Sequence, residues 1–370
     1  MNRDISEPIS PIQFTLLLHS VPHLGEKTLT RLLRYNARLR IMPGECLLLS
    51  ADHWQTQYDL DPRAATFLVE HRAELLDKSA ELARAARAAQ ISVLTCESMT
   101  YPTRLERYDD APPPILYALG NLPLTGNGPT NEPLQRNSAD SEQKQVGKHS
   151  DTGIGAALFT FTIAVSNGAS PAALTRQDEI AKQLIECGGI PVTGHDRAPY
   201  KRLALSAQRL NRPTIYVFDC GLREAMGPEF DRPPFAAARI RDLIFDTKRD
   251  LALSPFRFDD HSLGANNRRR DRMIFALAQI IIAVDVGAGG GMEAECRRAH
   301  EQGVPVYAVP QGGRAGNETL LALGCDPLPE SVEQITAQMR IAPRPAKTDC
   351  SRIDETAEVA ERPVNTDFRY

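Results

Sequence analysis

Residues 264–295 read GANNRRRDRMIFALAQIIIAVDVGAGGGMEAE, and this stretch indicates the fold. Residues 280–284 are almost all β-branched and apolar, as expected of a central strand that is buried on both faces of a sheet. The turn Gly287-Ala288-Gly289-Gly290-Gly291 follows, and a helix that begins with Met292 comes next. The stretch therefore predicts one strand–turn–helix unit of a parallel α/β sheet.

The glycine-rich turn is a candidate phosphate site. Glycines permit a close approach of the backbone, and the helix that follows offers N–H donors and a partial positive charge. We therefore take Gly289, Gly290 and Gly291 as candidate phosphate contacts. The dinucleotide fingerprint would need glycine at position 292, where Met292 stands, and the sequence has no Walker A pattern. Nicotinamide or flavin chemistry and ATP hydrolysis are disfavoured.

Arg268, Arg269, Arg270 and Arg272, the arginine cluster, precede the strand at the start of a predicted helix. Positive charge at a helix N-terminus opposes the helix dipole, and a bound anion would relieve the repulsion. Planar guanidinium groups suit phosphate and can stack on bases. A solvated basic face is the alternative interpretation, because residues rotate by about 100° along a helix and cannot all face one ligand. The cluster favours a phosphate-contact patch.

Composition limits the kind of partner. The chain has 370 residues and a net charge of -4, so a site for a polyanion must be a local patch. The seven cysteines form no C-x-x-C pair, which argues against a zinc site and against a disulfide framework. The sequence shows no signal-peptide pattern and no apolar run of about 20 residues. We expect a cytoplasmic protein without a membrane partner, without a bound metal and without a cofactor.

The chain divides into segments of different composition. Residues 10–90 have apolar residues at helical spacing, and residues 91–120 carry two short strands that lead into the sheet. Residues 121–155 offer little to bury and are expected to be a disordered linker or insertion, and residues 336–370 a flexible tail. Residues 156–335 are expected to form the main domain.

Strand and helix patterns alternate in the main domain. The predicted strands are 159–165, 190–193, 214–218, 251–253, 280–284 and 304–309. The predicted helices are 174–186, 199–209, 234–246, 269–278, 292–301 and 319–323. This order predicts an α/β fold with an extended Rossmann-like, mostly parallel and doubly wound sheet, preceded by a small all-helical domain. Ligands of such sheets bind at the carboxyl ends of the strands.

Two further strand ends supply candidate contacts. Ser166, Asn167 and Gly168 follow the first strand of the main domain and lead into a helix, which suits phosphate. Thr193, Gly194 and Arg197 follow the second strand, with His195 and Asp196 between them. A histidine in such a turn is more often solvated than catalytic. Cys220, after the third strand, is more often a small buried filler than a nucleophile.

The order of four segments resembles the DNA-processing protein A (DprA/Smf) family. They are YPTRLERYDDAPPPILYALGN, RRRDRMIFALAQIIIAVDV, GGMEAECRRAHEQGVPVYAVPQ and GNETLLALGCDPL. The helical N-terminal part is similar to the sterile-alpha-motif-like or helix-hairpin-helix module that precedes this family's sheet. The resemblance implies a non-catalytic homodimer that binds single-stranded DNA and loads RecA recombinase.

The resemblance also assigns residues. Arg269, Arg270 and Arg272 match the family's Arg-Arg-x-Arg motif, Gly290 and Gly291 its glycine turn, and Asn317 its late asparagine. The chain departs from the family at Asp271, where the family has asparagine, and at Ser166-Asn167-Gly168, where it has Gly-Ser-Arg. The negative charge of Asp271 would weaken a phosphate contact.

Two alternatives remain open. Gly289-Gly290-Gly291-Met292-Glu293 partly matches the turn of lysine-decarboxylase-like (LOG) phosphoribohydrolases, so a nucleotide sensor or a phosphoribohydrolase is the second hypothesis. A scaffold that keeps the fold without the activity is the third. The DNA hypothesis requires that Arg269, Arg270 and Arg272 lie at the glycine-bearing edge without each being neutralised by a carboxylate. Phe256 and Phe258 are the nearest candidates for stacking on bases.

Overall fold

The computed structural model describes residues 9–109, 111–121, 159–235, 244–311 and 313–341. Almost all of the predicted linker, most of the predicted helix 234–246 and the tail from residue 342 lie outside these residues. Among the helices of the described ranges, none combines the length and the apolar character that crossing a membrane requires.

The N-terminal segment is helical. Its helices are α1 Pro11–His19, α2 Glu26–Leu39, α3 Pro43–Leu47, α4 Ala51–Tyr58, α5 Pro62–Glu70 and α6 Arg72–Ala88. The side chains of Ser10, Ser50 and Asp61 accept hydrogen bonds from the first turns of α1, α4 and α5, which fixes where these helices begin. Trp54 is fully buried in a cluster formed mostly by these helices. Helices α5 and α6 meet at His71.

A nine-stranded sheet forms the centre of the described region. Its strands are β1 Ile91–Thr95, β2 Ile115–Gly120, β3 Phe159–Val165, β4 Gly189–Thr193, β5 Ile215–Val217, β6 Leu251–Ser254, β7 Ile280–Asp285, β8 Val306–Ala308 and β9 Asp326–Pro327. Their order is β1-β2-β6-β5-β4-β3-β7-β8-β9, and β2 alone runs antiparallel to its neighbours. The predicted mostly parallel α/β sheet is confirmed.

Helices cover both faces of the sheet. They are α7 Thr103–Tyr108, α8 Pro171–Glu186, α9 Ala198–Arg209, α10 Leu222–Met226, α11 Asn266–Leu277, α12 Gly291–Glu301, α13 Ala315–Ala322 and α14 Val332–Ile341. Side chains of a strand alternate between the two faces. On β7, Ile281 and Ala283 join the core that contains residues of α11 and α12, whereas Ile282 joins the core that contains residues of α8. This two-sided burial explains why the β7 sequence is continuously apolar.

The winding of the chain determines where a ligand can bind. From β3 the chain proceeds through β4 and β5 to β6, and then returns to β7 on the other side of β3. The strand order therefore reverses between β3 and β7, and a crevice at the carboxyl ends of these two strands is expected. Because α11 follows β6, its first turn lies at the same carboxyl edge. The fold thus brings the arginine cluster and the strand-end turns to one edge of the sheet.

Candidate nucleic-acid interface

Arg270 is a buried cation that the fold itself neutralises. Its side chain is 0% exposed, Nη1 lies 2.5 Å from Asp196 Oδ1, and Nε lies 2.9 Å from Asp271 Oδ1. Burial opposes the charge, but the carboxylates of Asp271 and Asp196, together with Tyr200, raise the pKa of Arg270 above its ordinary value. Arg270 is therefore charged, and most of that charge is directed at the protein's own carboxylates.

Tyr200 lies at the centre of this ion-pair network. Its hydroxyl donates to Asp271 Oδ1 over 2.7 Å, and the guanidinium carbons of Arg270 and Arg197 lie 5.1 and 5.4 Å from its ring centre. Burial, and then Asp271, raises the pKa of Tyr200 well above its ordinary value, so the hydroxyl keeps its proton. Arg197 Nη2 donates to Asp271 Oδ2 over 2.8 Å. The aspartate that the resemblance marked as a departure is thus the common acceptor of this network.

The turn after β4 supports Tyr200 rather than a phosphate, which corrects the sequence prediction for its residues. A Cβ atom on Gly194 would lie 2.7 Å from Tyr200 Cδ2, so glycine is needed here for packing. Thr193 is buried, and its hydroxyl donates to the Tyr200 carbonyl oxygen over 3.1 Å. Arg197 is paired with Asp271. The contacts of Thr193, Gly194 and Arg197 are therefore made with the ion-pair network.

Arg269 and Arg272 also have carboxylate partners. Arg269 forms an ion pair with Glu26 in the first turn of α2, which ties the helical segment to the sheet. Arg272 Nη1 lies 3.5 Å from Asp109, and its Nε lies 3.6 Å from Glu295. Together with Arg270, all three arginines of the family motif face carboxylates. The expectation of a rim of free guanidinium groups is therefore not met, because the folded chain brings remote acidic residues to the cluster.

The ion pairs do not use every donor of the arginine cluster. A guanidinium group carries five N–H donors, and single carboxylates leave several of them over. Nε and Nη2 of Arg269 and Nη2 of Arg270 are buried without a hydrogen-bond partner in the described part of the chain. Arg268 is exposed, and no described carboxylate pairs with it. A buried donor without a partner costs about 1–3 kcal/mol, so these atoms require an acceptor such as water or an anion.

The carboxyl ends of β3 and β7 are joined by Arg314, a residue that the sequence did not indicate. Arg314, which follows β8, donates through Nη1 to the Asn167 carbonyl oxygen over 3.0 Å and through Nη2 to the Gly168 carbonyl oxygen. Its Nε lies 3.3 Å from Asp285. Ser166 Oγ accepts the Gly287 N–H over 2.9 Å. The predicted contacts Ser166, Asn167 and Gly168 are brought together, but their hydrogen bonds join the two strand ends to each other.

The glycine turn before α12 is capped by the protein's own carboxylate. Glu293 is 3% exposed, and its Oε2 accepts the Gly289 N–H over 2.5 Å. Its Oε1 accepts from Arg297 over 2.6 Å. Glu293 therefore takes up the Gly289 N–H, and its negative charge beside the turn disfavours a second anion there. Both oxygens of Glu293 are therefore engaged in hydrogen bonds.

Asn317 has a structural role, which corrects its assignment as a DNA contact. It is 1% exposed, and its Oδ1 accepts the Val286 N–H over 2.9 Å. Its Nδ2 group lies 3.0 Å from the Ala283 carbonyl oxygen and 3.2 Å from that of Val309. Asn317 therefore joins the ends of β7 and β8 from inside the protein.

Neither Phe256 nor Phe258, the two candidates for base stacking, is fully exposed. Phe258 is 1% exposed, and its ring centre lies 4.8 Å from that of Tyr117 and 6.0 Å from that of Phe230. It is a core residue. Phe256 is half-buried. A ligand at this edge would therefore be held by charge and hydrogen bonds more than by stacking.

His195, Asp219 and Cys220 meet beside the arginine cluster, at the ends of β4 and β5. His195 Nε2 lies 3.5 Å from Asp219 Oδ1. Burial lowers the pKa of His195, although Asp219 and Asp196 oppose the shift, so the imidazole is neutral near pH 7. Burial raises the pKa of Cys220 to about 12, so its thiol is protonated and a poor nucleophile. Because neighbouring parallel strands end at one edge, residues that directly follow β4 and β5 could have been paired from the sequence.

Together these features define a class of protein: an extended Rossmann-like sheet, preceded by helices, with an arginine-rich carboxyl edge. Among solved structures, the chain is similar to DNA processing protein A (DprA) from Streptococcus pneumoniae, with 19% identity, a TM-score of 0.63, and coverage of 90% of this chain and 99% of that chain. The chain therefore has a DprA-like fold, and the resemblance seen in the sequence is confirmed at the level of the fold.

Other solved structures match less completely. DprA from Helicobacter pylori, described for its single-stranded DNA binding mode, has 17% identity and a TM-score of 0.47, covering 68% of this chain and 96% of that chain. The molybdenum cofactor carrier protein from Chlamydomonas reinhardtii has 18% identity and a TM-score of 0.32, covering 50% of this chain and 95% of that chain. No family model matches the sequence, and no curated protein is significantly similar to it.

Proposed function

We propose that this protein is a non-catalytic, DprA-like binder of single-stranded DNA. The DNA backbone would contact the first turn of α11, above the carboxyl ends of β4 and β5. The observation that carries the proposal is the set of exposed guanidinium N–H donors of Arg268 in this turn, which no described carboxylate pairs with. Phosphate oxygens are strong acceptors for such donors.

In this proposal the ion pairs hold the first turn of α11 in place. Asp196 and Asp271 hold Arg270 in the core, and Glu26 fixes the guanidinium group of the partly exposed Arg269, so little side-chain entropy is lost at Arg269 when a phosphate binds. The carboxylates also reduce the net positive charge of the edge. We therefore assign most of the long-range attraction to cations that no described carboxylate pairs with. Two such cations are Arg268 and Lys201, and Lys201 is close enough to His195 to affect its pKa.

The same arrangement predicts the character of the binding. Phosphate contacts carry no sequence information, and Phe258 is buried, so binding should depend little on base sequence. Affinity should fall as salt rises, by roughly 0.7 log units per log unit of salt for each phosphate that the protein neutralises. A modest affinity with a clear salt dependence is the expected result.

The resemblance to the DprA/Smf family supports the wider assignment. On this basis we propose a cytoplasmic homodimer that delivers single-stranded DNA to RecA recombinase. We also propose the division into a helical domain at 10–90, a connecting segment at 91–120, a linker at 121–155, a sheet domain at 156–335 and a tail at 336–370. Because the ion pair between Arg269 and Glu26 joins the helical segment to α11, we place the helical domain beside the proposed DNA site.

The test compares ligands and variants in parallel. Fluorescence polarisation of labelled single-stranded oligomers should show binding that Arg268→Ala combined with Lys201→Ala weakens at least about fourfold at 0.15 M salt. The matched control is Arg84→Ala combined with Arg87→Ala, which removes two exposed arginines from α6. If both double variants weakened DNA binding equally, the effect would come from the net charge of the protein and not from a site at α11. Calorimetric binding of a mononucleotide without binding of oligomers would overturn the proposal in favour of a nucleotide sensor.

A further inference from the structure

We propose that His195, Asp219 and Cys220 form a site for one divalent transition-metal ion of the zinc class. One ligand atom from each of these residues lies within 4.8 Å of the other two. His195 directly follows β4 and Asp219-Cys220 follow β5, so two neighbouring strand ends supply all three ligands. The absence of C-x-x-C pairs argues against a zinc site that is built from closely spaced cysteines. This cluster instead combines one histidine, one aspartate and one cysteine from two strand ends.

The distances fit a tetrahedral ion. Ligand atoms at the usual zinc–nitrogen, zinc–oxygen and zinc–sulfur distances lie about 3.4–3.6 Å apart around one tetrahedral ion. His195 Nε2 and Asp219 Oδ1 are 3.5 Å apart, which meets this value without any movement. The three ligand atoms lie within 4.8 Å of one another. A displacement of about 1 Å of the Cys220 side chain would therefore bring its sulfur to the tetrahedral distance.

Asp219 and His195 each have one buried side-chain atom without a hydrogen-bond partner among the described residues. Asp219 is 2% exposed, and its Oδ1 has no hydrogen-bond partner among the described residues. Nδ1 of His195 is likewise buried without a partner in the described ranges. Burying a charged carboxylate oxygen without a hydrogen-bond donor costs free energy, and a bound cation would compensate for this cost. The Asp219 oxygen that accepts no hydrogen bond lies beside His195 Nε2 and is therefore an independent indication of a ligand.

A second layer of hydrogen bonds orients the proposed ligands. Ser262 Oγ donates to the other carboxylate oxygen of Asp219, and Asn266 Nδ2 donates to the Asp219 carbonyl oxygen over 2.9 Å. Ser254 Oγ donates to the Cys220 carbonyl oxygen over 2.7 Å. The His195 ring packs against Phe218 with the ring centres 4.8 Å apart. Metal sites commonly use such partners to fix ligand orientation.

The ligand set selects the class of metal. Thiolate and imidazole favour zinc and neighbouring first-row metals, whereas magnesium and calcium prefer oxygen ligands alone. The side chain of His195 is 18% exposed, so the proposed site is open to solvent at this ligand. Arg270 and Lys201 lie nearby and oppose a cation, while Asp196 favours it. Because Arg270 is paired with Asp196 and Asp271, its repulsion is largely screened.

Cobalt(II) provides a direct probe because it replaces zinc and reports thiolate ligation by absorbance. The full chain, stripped with a chelator and kept reduced, should bind one equivalent of cobalt(II) with an intense near-ultraviolet thiolate band. Zinc(II) should displace the cobalt. Cys220→Ser should abolish the band, and His195→Gln and Asp219→Asn should each weaken binding by at least about tenfold. Cys187→Ser, which changes a half-buried cysteine elsewhere, should leave the band unchanged.

The proposal is overturned if stripped wild-type protein shows no thiolate band with stoichiometric cobalt(II), or if the band survives in Cys220→Ser. If Cys220→Ser does not fold, His195→Gln at the partly exposed ligand decides the question. In that case zinc(II) at about 100 times the dissociation constant should stabilise the wild type by about 2.7 kcal/mol and His195→Gln by much less. Equal stabilisation of the two proteins would contradict the site.

Discussion

The guanidinium group of Arg270 lies 2.5 Å from the carboxylate of Asp196, although the two residues are 74 positions apart in the sequence. This contact joins the first turn of α11 to the turn after β4 at the carboxyl edge of the sheet. It makes Arg270 part of the core rather than of the surface. The arginine cluster therefore has two roles. Arg270 stabilises the fold, whereas the exposed Arg268 is available to bind a ligand.

Arg270→Ala should lower the free energy of unfolding by about 3–5 kcal/mol, because Asp196 and Asp271 would remain charged without their buried partner. Urea denaturation measures the change. Arg268→Ala, the matched control at an exposed position, should stay within about 0.5 kcal/mol of the wild type. A fully stable Arg270→Ala protein would show that the network does not support the fold.

The sequence predicted the fold well because hydrophobic periodicity is a local property. The continuous apolar run of β7 and the strand–helix alternation both reappear in the structure, with element ends that differ by a few residues. The positions of α11 and of the glycine turn at one edge follow directly from a doubly wound sheet. These features needed no knowledge of distant contacts.

The site was less predictable because charge pairing depends on the tertiary fold. Glu26 is 243 positions from Arg269 in the sequence, and Arg314 is 147 positions from Asn167. These contacts therefore cannot be predicted from the spacing of residues along the chain. The role of Gly194 was also hidden, since a glycine that accommodates Tyr200 looks the same in sequence as one that accommodates a phosphate. Asn317 illustrates the same ambiguity for a buried amide.

Gly194→Ala should destabilise the protein by about 1–3 kcal/mol, because the added Cβ atom would press against the fully packed ring of Tyr200. Thermal or urea unfolding checks this value. Gly264→Ala is the control, since a Cβ atom there would meet nothing within 4 Å. Equal stability of the two variants would argue against the packing role of Gly194.

Glu26→Gln should strengthen binding of single-stranded DNA, because it removes the charge that faces Arg269. One additional phosphate contact is worth roughly a fourfold gain in affinity at about 0.15 M salt. Polarisation titrations measure the gain. Glu106→Gln, which removes the partner of Arg34 on α2, should change affinity little. Unchanged affinity in Glu26→Gln would exclude Arg269 from the DNA site.

Stability should decrease in mild acid because of His19 at the end of α1. Burial, and then Arg257 and Arg269, lowers the pKa of His19 to about 3 in the folded protein. Below pH 6.5 the unfolded chain takes up a proton that the folded protein does not, so stability is present above that pH and is lost as pH falls. At pH 5 the loss should be on the order of 1–2 kcal/mol.

Urea denaturation of wild type and His19→Asn at pH 7.5 and pH 5 tests this linkage. The variant should lose less stability between the two pH values than the wild type does. His23→Asn, at an exposed histidine, should behave like the wild type. The same pH dependence in all three proteins would exclude His19 as its source.

The salt dependence of single-stranded DNA binding tests the central claim most directly. The account predicts that the plot of log affinity against log salt has a negative slope, and that Arg268→Ala with Lys201→Ala makes it shallower by roughly 1.4. The double variant should unfold at the same urea concentration as the wild type. An identical salt slope in the two proteins, or no salt-dependent binding by the wild type, would contradict a DNA site at the first turn of α11.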